Sequence, residues 1–190
     1  ATKWLQKLGI AYETTRLGEY ERAIELLVKA HSTKDVERIR KEFPRFVVSL
    51  YEATDLVSVH HGLAGRFDDQ IRAHIEAYAS GPADYREEAV ATSSNRARNI
   101  AFELHVMEKL IGAGIELDFG IATDIAAKFD GRSILFECKR PQSSRKVEAA
   151  VRYAFKQLER KYGEPVRVRH RGIIALDITK VVNPDFMLYV

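Results

Sequence analysis

Two carboxylates and a lysine are brought onto one small patch by a single predicted β-hairpin. The hairpin lies in the stretch TDIAAKFDGRSILFECKRP, from Thr123 to Pro141. Asp130-Gly131 within it is a strong signal for a two-residue turn, because a type I′ turn needs positive φ at both central residues. The sequence therefore predicts two antiparallel strands that flank Asp130-Gly131.

The register of this hairpin determines which side chains meet. If Asp130 and Gly131 form the turn, Phe129 pairs with Arg132, and counting outward places Asp124 opposite Glu137. Opposed Cβ atoms lie about 4.5–5.5 Å apart, and like charges there are destabilising. A divalent cation would remove that penalty. Lys139 follows Glu137 by two residues and points to the same face of its strand. A slip of one residue would break the arrangement.

Composition and length are those of a globular protein. The chain has 190 residues, of which 46% are apolar and 30% charged, and we expect one domain, with or without a helical extension. No apolar run approaches the ~20 residues that span a bilayer, so no membrane association is predicted. The single cysteine, Cys138, fits a reducing compartment, and a cytoplasmic location is the corresponding expectation.

The distribution of charge is more informative than the net charge of +3. Residues 1–95 carry 13 basic and 15 acidic side chains, whereas residues 96–190 carry 17 and 12. Between Arg132 and Arg171 there are 12 basic residues against 4 acidic ones, a local charge of +8. This excess surrounds the predicted carboxylate patch, as expected if the ligand is a polyanion.

The first half of the chain reads as helices and the second half as a mixture of helices and strands. The predicted helices of the first half are Lys3–Ala30 with a break near Leu17-Gly18, Thr33–Phe43, Pro44–His60 and Phe67–Ala79. A long helix is then expected to begin at Asp84 or near Ser93-Ser94 and to end at Leu110. The later elements are strands at Ile115–Ile121, Ile125–Phe129 and Ile134–Lys139, a helix from Ser143 or Ser144 to Gly163, and a buried strand at Gly172–Thr179.

The segment LGIAYETTRLGEYERAIELLVKA, within residues 4–30, resembles a single tetratricopeptide repeat. The gap between Tyr12 and Gly18 is two residues longer than in that family, and no second copy follows. Such repeats stabilise one another by stacking. We therefore interpret this segment as a helical hairpin rather than as a peptide-binding array.

The order of helix, three strands, helix and strand, together with Asp124 and Glu137-Cys138-Lys139, resembles the PD-(D/E)XK nuclease superfamily. The resemblance covers about residues 96–179, and Thr123 takes the place of the proline in the family's name. It implies an α+β fold with a restriction-endonuclease-like core, in which a central mixed sheet is flanked by helices. The expected organisation is an all-helical N-terminal region at 1–92 and a nuclease-like core at 93–190.

The resemblance also implies roles for residues of this chain. Asp124, Glu137 and the backbone carbonyl of Cys138 would bind Mg²⁺ or Mn²⁺, which prefer hard oxygen ligands. Lys139 would position the attacking water and stabilise the charge that develops on phosphate. The alternative is a Glu/Lys pair on a solvated edge strand beside a turn-proximal aspartate. The apolar run Ile134-Leu135-Phe136 favours a buried strand instead.

Two further residues have a functional and a structural interpretation each. Glu103 falls on the apolar face of its helix, where a carboxylate needs a partner. The resemblance implies that it is a third acidic residue near the metal, and the alternative is a salt bridge to Arg96 or Arg140. Gln157 flanks the apolar stripe of the next helix; the resemblance implies that it orients the site or touches the substrate backbone, and the alternative is an ordinary helix residue. The basic side chains that would contact phosphate are Arg140, Arg145, Lys146, Arg167, Arg169 and Arg171.

The sequence therefore predicts a Mg²⁺-dependent endonuclease or other phosphodiesterase that hydrolyses nucleic acid, with DNA favoured over RNA. The alternative is a catalytically silent module on the same fold that binds nucleic acid or protein. In either case the helical half could recruit a protein partner or form a homodimer. A third interpretation is a regulatory helical protein in which the Glu-Cys-Lys triplet is coincidental.

Overall fold

The chain is an α+β protein with a four-stranded mixed sheet, as the sequence predicts. The structure is a computed structural model that describes residues 1–83, 95–162 and 170–183. The chain divides into two compact units, Ala1–Ile100 and Ala101–Val190. In the described part of the chain, every helix is too short or too polar to cross a membrane.

The first unit is helical. Its helices are α1 (Thr2–Lys7), α2 (Arg16–Ser32), α3 (Val36–Leu63) and α4 (Asp68–Ala79), with a 3-10 turn at Tyr12–Thr14 and the first residues of α5 (Arg96–Gly112). The predicted break near Leu17-Gly18 is wrong, because the chain leaves the helix after Lys7 and α2 begins at Arg16. Thr15 caps α2 by accepting a hydrogen bond from Leu17 N at 3.3 Å.

The predicted boundary at Pro44 is also wrong. Pro44 lies inside α3, which runs unbroken for 28 residues. A proline in a helix interior removes one backbone hydrogen bond and costs about 3 kcal/mol. Helix α3 packs on α2 and buries Phe46, Ser49, Leu56 and Val59. We attribute the continuity of α3 to this burial, which outweighs the cost of one proline.

The second unit contains the sheet. Its elements are the rest of α5, β1 (Glu116–Leu117), β2 (Ile125–Phe129), β3 (Arg132–Lys139), α6 (Ser144–Tyr162), β4 (His170–Leu176) and α7 (Thr179–Val182). The strand order is β1-β2-β3-β4; the first two pairings are antiparallel, and β3 pairs with β4 in parallel. The predicted succession of helix, three strands, helix and strand is confirmed. Strand β3 is therefore central, with strands on both sides.

The hairpin that positions the acidic residues has the predicted turn and register. Asp130 and Gly131 both have positive φ, 51° and 69°. Phe129 pairs with Arg132, and Ile125 pairs with Phe136 at the other end. Asp124 and Glu137 are the next residues outward from that last pair, so the predicted opposition of the two acids follows from the observed register.

One helix packs against the face of the hairpin that carries Glu137. Leu158 of α6 is buried with Ala126 of β2 and Leu135 of β3, and Ile121 and Ile174 pack around them. Leu135, Glu137 and Lys139 alternate onto the same face of β3. Helix α6 thus covers the face on which the two charged residues of β3 lie.

Candidate active site

Glu137 and Lys139 lie at the end of the central strand, and their side chains differ in exposure to solvent. The Glu137 side chain is fully buried, with 0% exposure, and that of Lys139 is 17% exposed. The Glu137 Oε2 atom accepts a hydrogen bond from Lys139 Nζ at 2.9 Å. A buried carboxylate must be paired to be tolerated, and Lys139 supplies one of its partners.

Asp124 is fixed just before β2 by a backbone contact to the opposite strand. Its Oδ2 atom accepts hydrogen bonds from Cys138 N at 2.8 Å and from Lys139 Nζ at 3.1 Å. Its side chain is 25% exposed. The hairpin therefore delivers Asp124 to the same lysine that contacts Glu137, and the three predicted catalytic residues of this stretch lie together.

The three oxygen atoms predicted as metal ligands on the hairpin surround one cation. Lys139 Nζ donates to Asp124 Oδ2 at 3.1 Å, to Glu137 Oε2 at 2.9 Å and to the carbonyl oxygen of Cys138 at 3.1 Å. An ammonium has three protons to donate, so these contacts satisfy it. The arrangement shows that two carboxylates and one carbonyl are aimed at a common positively charged point.

The charges of Glu137 and Lys139 stabilise each other in spite of burial. Burial alone would raise the pKa of Glu137, but hydrogen bonds from Lys161 and Lys139 outweigh it, and the pKa lies below its ordinary value. Burial alone would lower the pKa of Lys139, but Glu137 and Asp124 hold it above its ordinary value. Both groups of the pair are therefore charged at neutral pH.

This donor set suits a hard divalent cation. Mg²⁺ is usually bound by one or two carboxylates and completes its octahedron with water and substrate phosphates. Asp124, Glu137 and the Cys138 carbonyl match that share of ligands. The described residues contain no group of three or more His, Cys, Asp or Glu side chains placed to hold a metal.

Glu103 lies in the middle of α5 and is partly buried. Burial raises the pKa of the Cys138 thiol, and the charge of Glu103 adds to that rise. Glu103 is therefore within electrostatic range of β3 at the residue between Glu137 and Lys139, while its role as a metal ligand stays a prediction. The raised pKa leaves the buried Cys138 a thiol, in line with its predicted place in the core.

The predicted nucleic-acid contacts are placed differently from one another. Arg145, Lys146 and Arg171 are exposed. Arg140 is only 7% exposed, and its Nε donates to Asp177 Oδ2 at 2.9 Å, which ties the end of β3 to the segment after β4. Arg167 and Arg169, which are also predicted phosphate contacts, lie outside the described residues.

Gln157 is partly buried on α6, and its Oε1 atom accepts no hydrogen bond within the described part of the chain. Tyr153 precedes it by four residues and therefore lies on the same helix face. The Tyr153 ring centroid is 5.9 Å from Lys139 Nζ. This face of α6 thus borders the site.

Sequence reasoning missed two contacts of Glu137. Lys161 Nζ donates to Glu137 Oε1 from across 24 residues of sequence. The hydroxyl of Thr123 is also 3.3 Å from that oxygen and 3.1 Å from the carbonyl of Phe136. The signal for Lys161 was its position four residues after Gln157, on the same face of α6.

Comparison with family models, with curated proteins and with solved structures gives no match for this chain.

Proposed function

We propose that the chain is a metal-dependent nuclease that hydrolyses phosphodiester bonds of nucleic acid, with DNA as the expected substrate, on a core of the PD-(D/E)XK type. The observation that carries this proposal is the convergence of Asp124 Oδ2, Glu137 Oε2 and the Cys138 carbonyl on Lys139 Nζ, at 2.9–3.1 Å. A fully buried carboxylate on the central strand, with a lysine and a second carboxylate beside it, is costly to maintain for stability alone. The same set matches what phosphodiester hydrolysis requires.

Each residue has a part in that reaction. Asp124, Glu137 and the Cys138 carbonyl would hold Mg²⁺ or Mn²⁺. The bound ion would polarise the phosphodiester and lower the pKa of a water molecule. Lys139 would hold the attacking water and stabilise the negative charge of the transition state, for which an ammonium is a good point charge. Glu103 would supply a further carboxylate from α5.

The surroundings of the site support an anionic polymer as the substrate. The segment Arg132–Arg171 carries 12 basic residues against 4 acidic ones. Arg145 and Lys146, in the first turn of α6, and Arg171 of β4 are exposed and available to phosphates. Contacts of this kind give affinity that depends on salt and carries no sequence preference. We accordingly expect cleavage with weak sequence specificity.

The test is cleavage of supercoiled plasmid, linear DNA and RNA in the presence of Mg²⁺, Mn²⁺ or EDTA. Wild type should cleave with either metal and stop in EDTA. D124N and E137Q should lose at least about 100-fold in rate, because each removes a ligand while nearly keeping the side-chain shape. E148Q serves as a matched control, since Glu148 is an exposed residue of α6 that pairs with Arg152. It should cleave like wild type.

Two results would contradict the proposal. Cleavage that survives in D124N and E137Q would place the activity elsewhere or in a contaminant. A wild-type protein that binds neither Mg²⁺ nor Mn²⁺ by calorimetry and cleaves no substrate would remove the enzymatic interpretation. If that protein still binds DNA, the binding-module alternative takes its place.

A further inference from the structure

The two oxygen atoms of the Glu137 carboxylate have separate partners. Oε2 faces Lys139 and the point that Asp124 and the Cys138 carbonyl share. Oε1 faces away from that point and accepts from Lys161 Nζ, with the Thr123 hydroxyl 3.3 Å away. A carboxylate held at one oxygen has its other oxygen fixed in direction, so the contact at Oε1 determines where Oε2 points.

Packing of α6 delivers Lys161 to this oxygen. Leu158, three residues earlier, is buried against Ala126 and Leu135 of the hairpin. Residues three apart on a helix are neighbours on its surface, so the anchored turn carries Lys161 over the end of β3. The Lys161 side chain is 26% exposed and that of Glu137 is fully buried. The contact is thus a partly desolvated one, built by a hydrophobic anchor next to it.

We infer that Lys161 is a positioning residue of the site, which holds Glu137 Oε1 so that Oε2 is directed to the cation that Asp124 shares. The inference rests on the proposed function, since it assigns Lys161 a part in the same metal site. Partners that orient a ligand are often as important as the ligand, and their loss lowers metal affinity or activity about 10- to 100-fold.

Two other roles for Lys161 predict different results. As a simple counter-charge, Lys161 would oppose a divalent cation, and its removal would tighten metal binding. As a phosphate contact, its removal would raise the KM for DNA and reduce the dependence of binding on salt, and metal affinity would not change. The positioning role predicts weaker metal binding and a lower kcat at nearly constant KM.

The experiment measures Mn²⁺ affinity by isothermal titration calorimetry, without substrate, and separately the kcat and KM of DNA cleavage. The variants are K161M, which keeps the aliphatic stem without the charge, and K161R, which keeps a cationic donor. K156M is the matched control, because Lys156 is an exposed lysine on the same helix and its loss changes the net charge equally. Thermal unfolding of each variant identifies any that fails to fold.

We expect K161M to bind Mn²⁺ about 10- to 100-fold more weakly than wild type and to lose kcat by a similar factor. Its KM for DNA should stay within about twofold, because uniform substrate binding is not affected. K161R should recover most of the loss, and K156M should match wild type in metal affinity. If K161M does not fold, K161Q replaces it as the uncharged variant, and the same loss of Mn²⁺ affinity of about 10- to 100-fold is expected, with K161R as its control.

Unchanged or tighter Mn²⁺ binding in folded K161M would overturn the inference, as would a change confined to KM. If in that case wild type still binds metal and D124N does not, the proposed function stands and only the role of Lys161 falls. If wild type itself binds no metal and cleaves nothing, the proposed function fails and the role of Lys161 falls with it.

Discussion

Replacing Lys139 by methionine should change metal affinity and catalysis in opposite directions. In wild type the Lys139 ammonium lies 3.1 Å from Asp124 Oδ2 and from the Cys138 carbonyl, and 2.9 Å from Glu137 Oε2. A divalent cation that uses these oxygens must displace those contacts. K139M removes the competing cation and leaves the carboxylates nearly in place, because methionine keeps much of the aliphatic stem.

The expected change in metal affinity follows from the contacts that Lys139 gives up when the metal binds. A hydrogen bond to a charged group has a net value of about 1.5–3 kcal/mol. If metal entry costs the net equivalent of one such bond, K139M should bind Mn²⁺ about 10- to 100-fold more tightly than wild type. Cleavage should fall by about 100- to 1,000-fold, the range observed when one donor to the transition state is removed.

Calorimetry with Mn²⁺ and plasmid cleavage at saturating metal measure the two effects. K156M again controls for the loss of one positive charge at an exposed position of the same unit. The reasoning is refuted if K139M binds metal no more tightly than K156M, because the three oxygens would then not be the metal ligands. It is also refuted if K139M cleaves at the wild-type rate. Lys139 and Lys161 contact the same carboxylate, so opposite signs for their variants would distinguish the two oxygens of Glu137.

Two further predictions concern stability. G18A should destabilise the protein by about 1–3 kcal/mol, because an added Cβ would lie 2.3 Å from the backbone oxygen of Glu13. The control is G112A, at a helical glycine with open space around it, which should be neutral or stabilising. Denaturant unfolding of both variants checks this, and equal stability would show that the approach of Glu13 relaxes at no cost. The lowered pKa of Glu137 predicts a contribution to stability that is complete above its ordinary value of 4.5 and is lost as the pH falls through the lower folded value. The difference in Tm between wild type and E137Q should therefore narrow as the pH falls below about 4.5, and a constant difference from pH 7 to 3 would show that ionised Glu137 does not contribute.

The hairpin was predictable because its determinants are local. Asp130-Gly131 specifies the turn, the turn specifies the register, and the register places Asp124 opposite Glu137. The strand before it was overpredicted: β1 covers only Glu116–Leu117, because Asp118 Oδ1 accepts from Gly120 N at 3.0 Å and turns the chain. The hydrogen bond of the Asp118 side chain forms a turn inside the predicted strand. The apolar residues on either side of this turn suggested a longer strand than the structure contains.

Features that depend on tertiary packing were less predictable. Proline normally ends or kinks a helix, but α3 continues through Pro44 because its buried face is long enough to compensate. The contact of Lys161 with Glu137 joins residues 24 apart, and it exists only because Leu158 anchors α6 on the hairpin. Sequence patterns indicate helix faces and turns, whereas a contact between two elements depends on how far apart they lie in the folded chain.

The burial of Glu137 raises the question of why two carboxylates and two lysines lie together at this position. Taking a carboxylate and its lysines out of water costs several kcal/mol, and well-packed apolar side chains of similar volume are often as stable or more so. Neighbouring positions of β3 are in fact filled by Leu135 and Phe136, which are buried. The sheet could have continued in that way through Glu137. Two carboxylates and two lysines instead meet at the end of the central strand, and this supports the proposal that the position serves chemistry rather than stability.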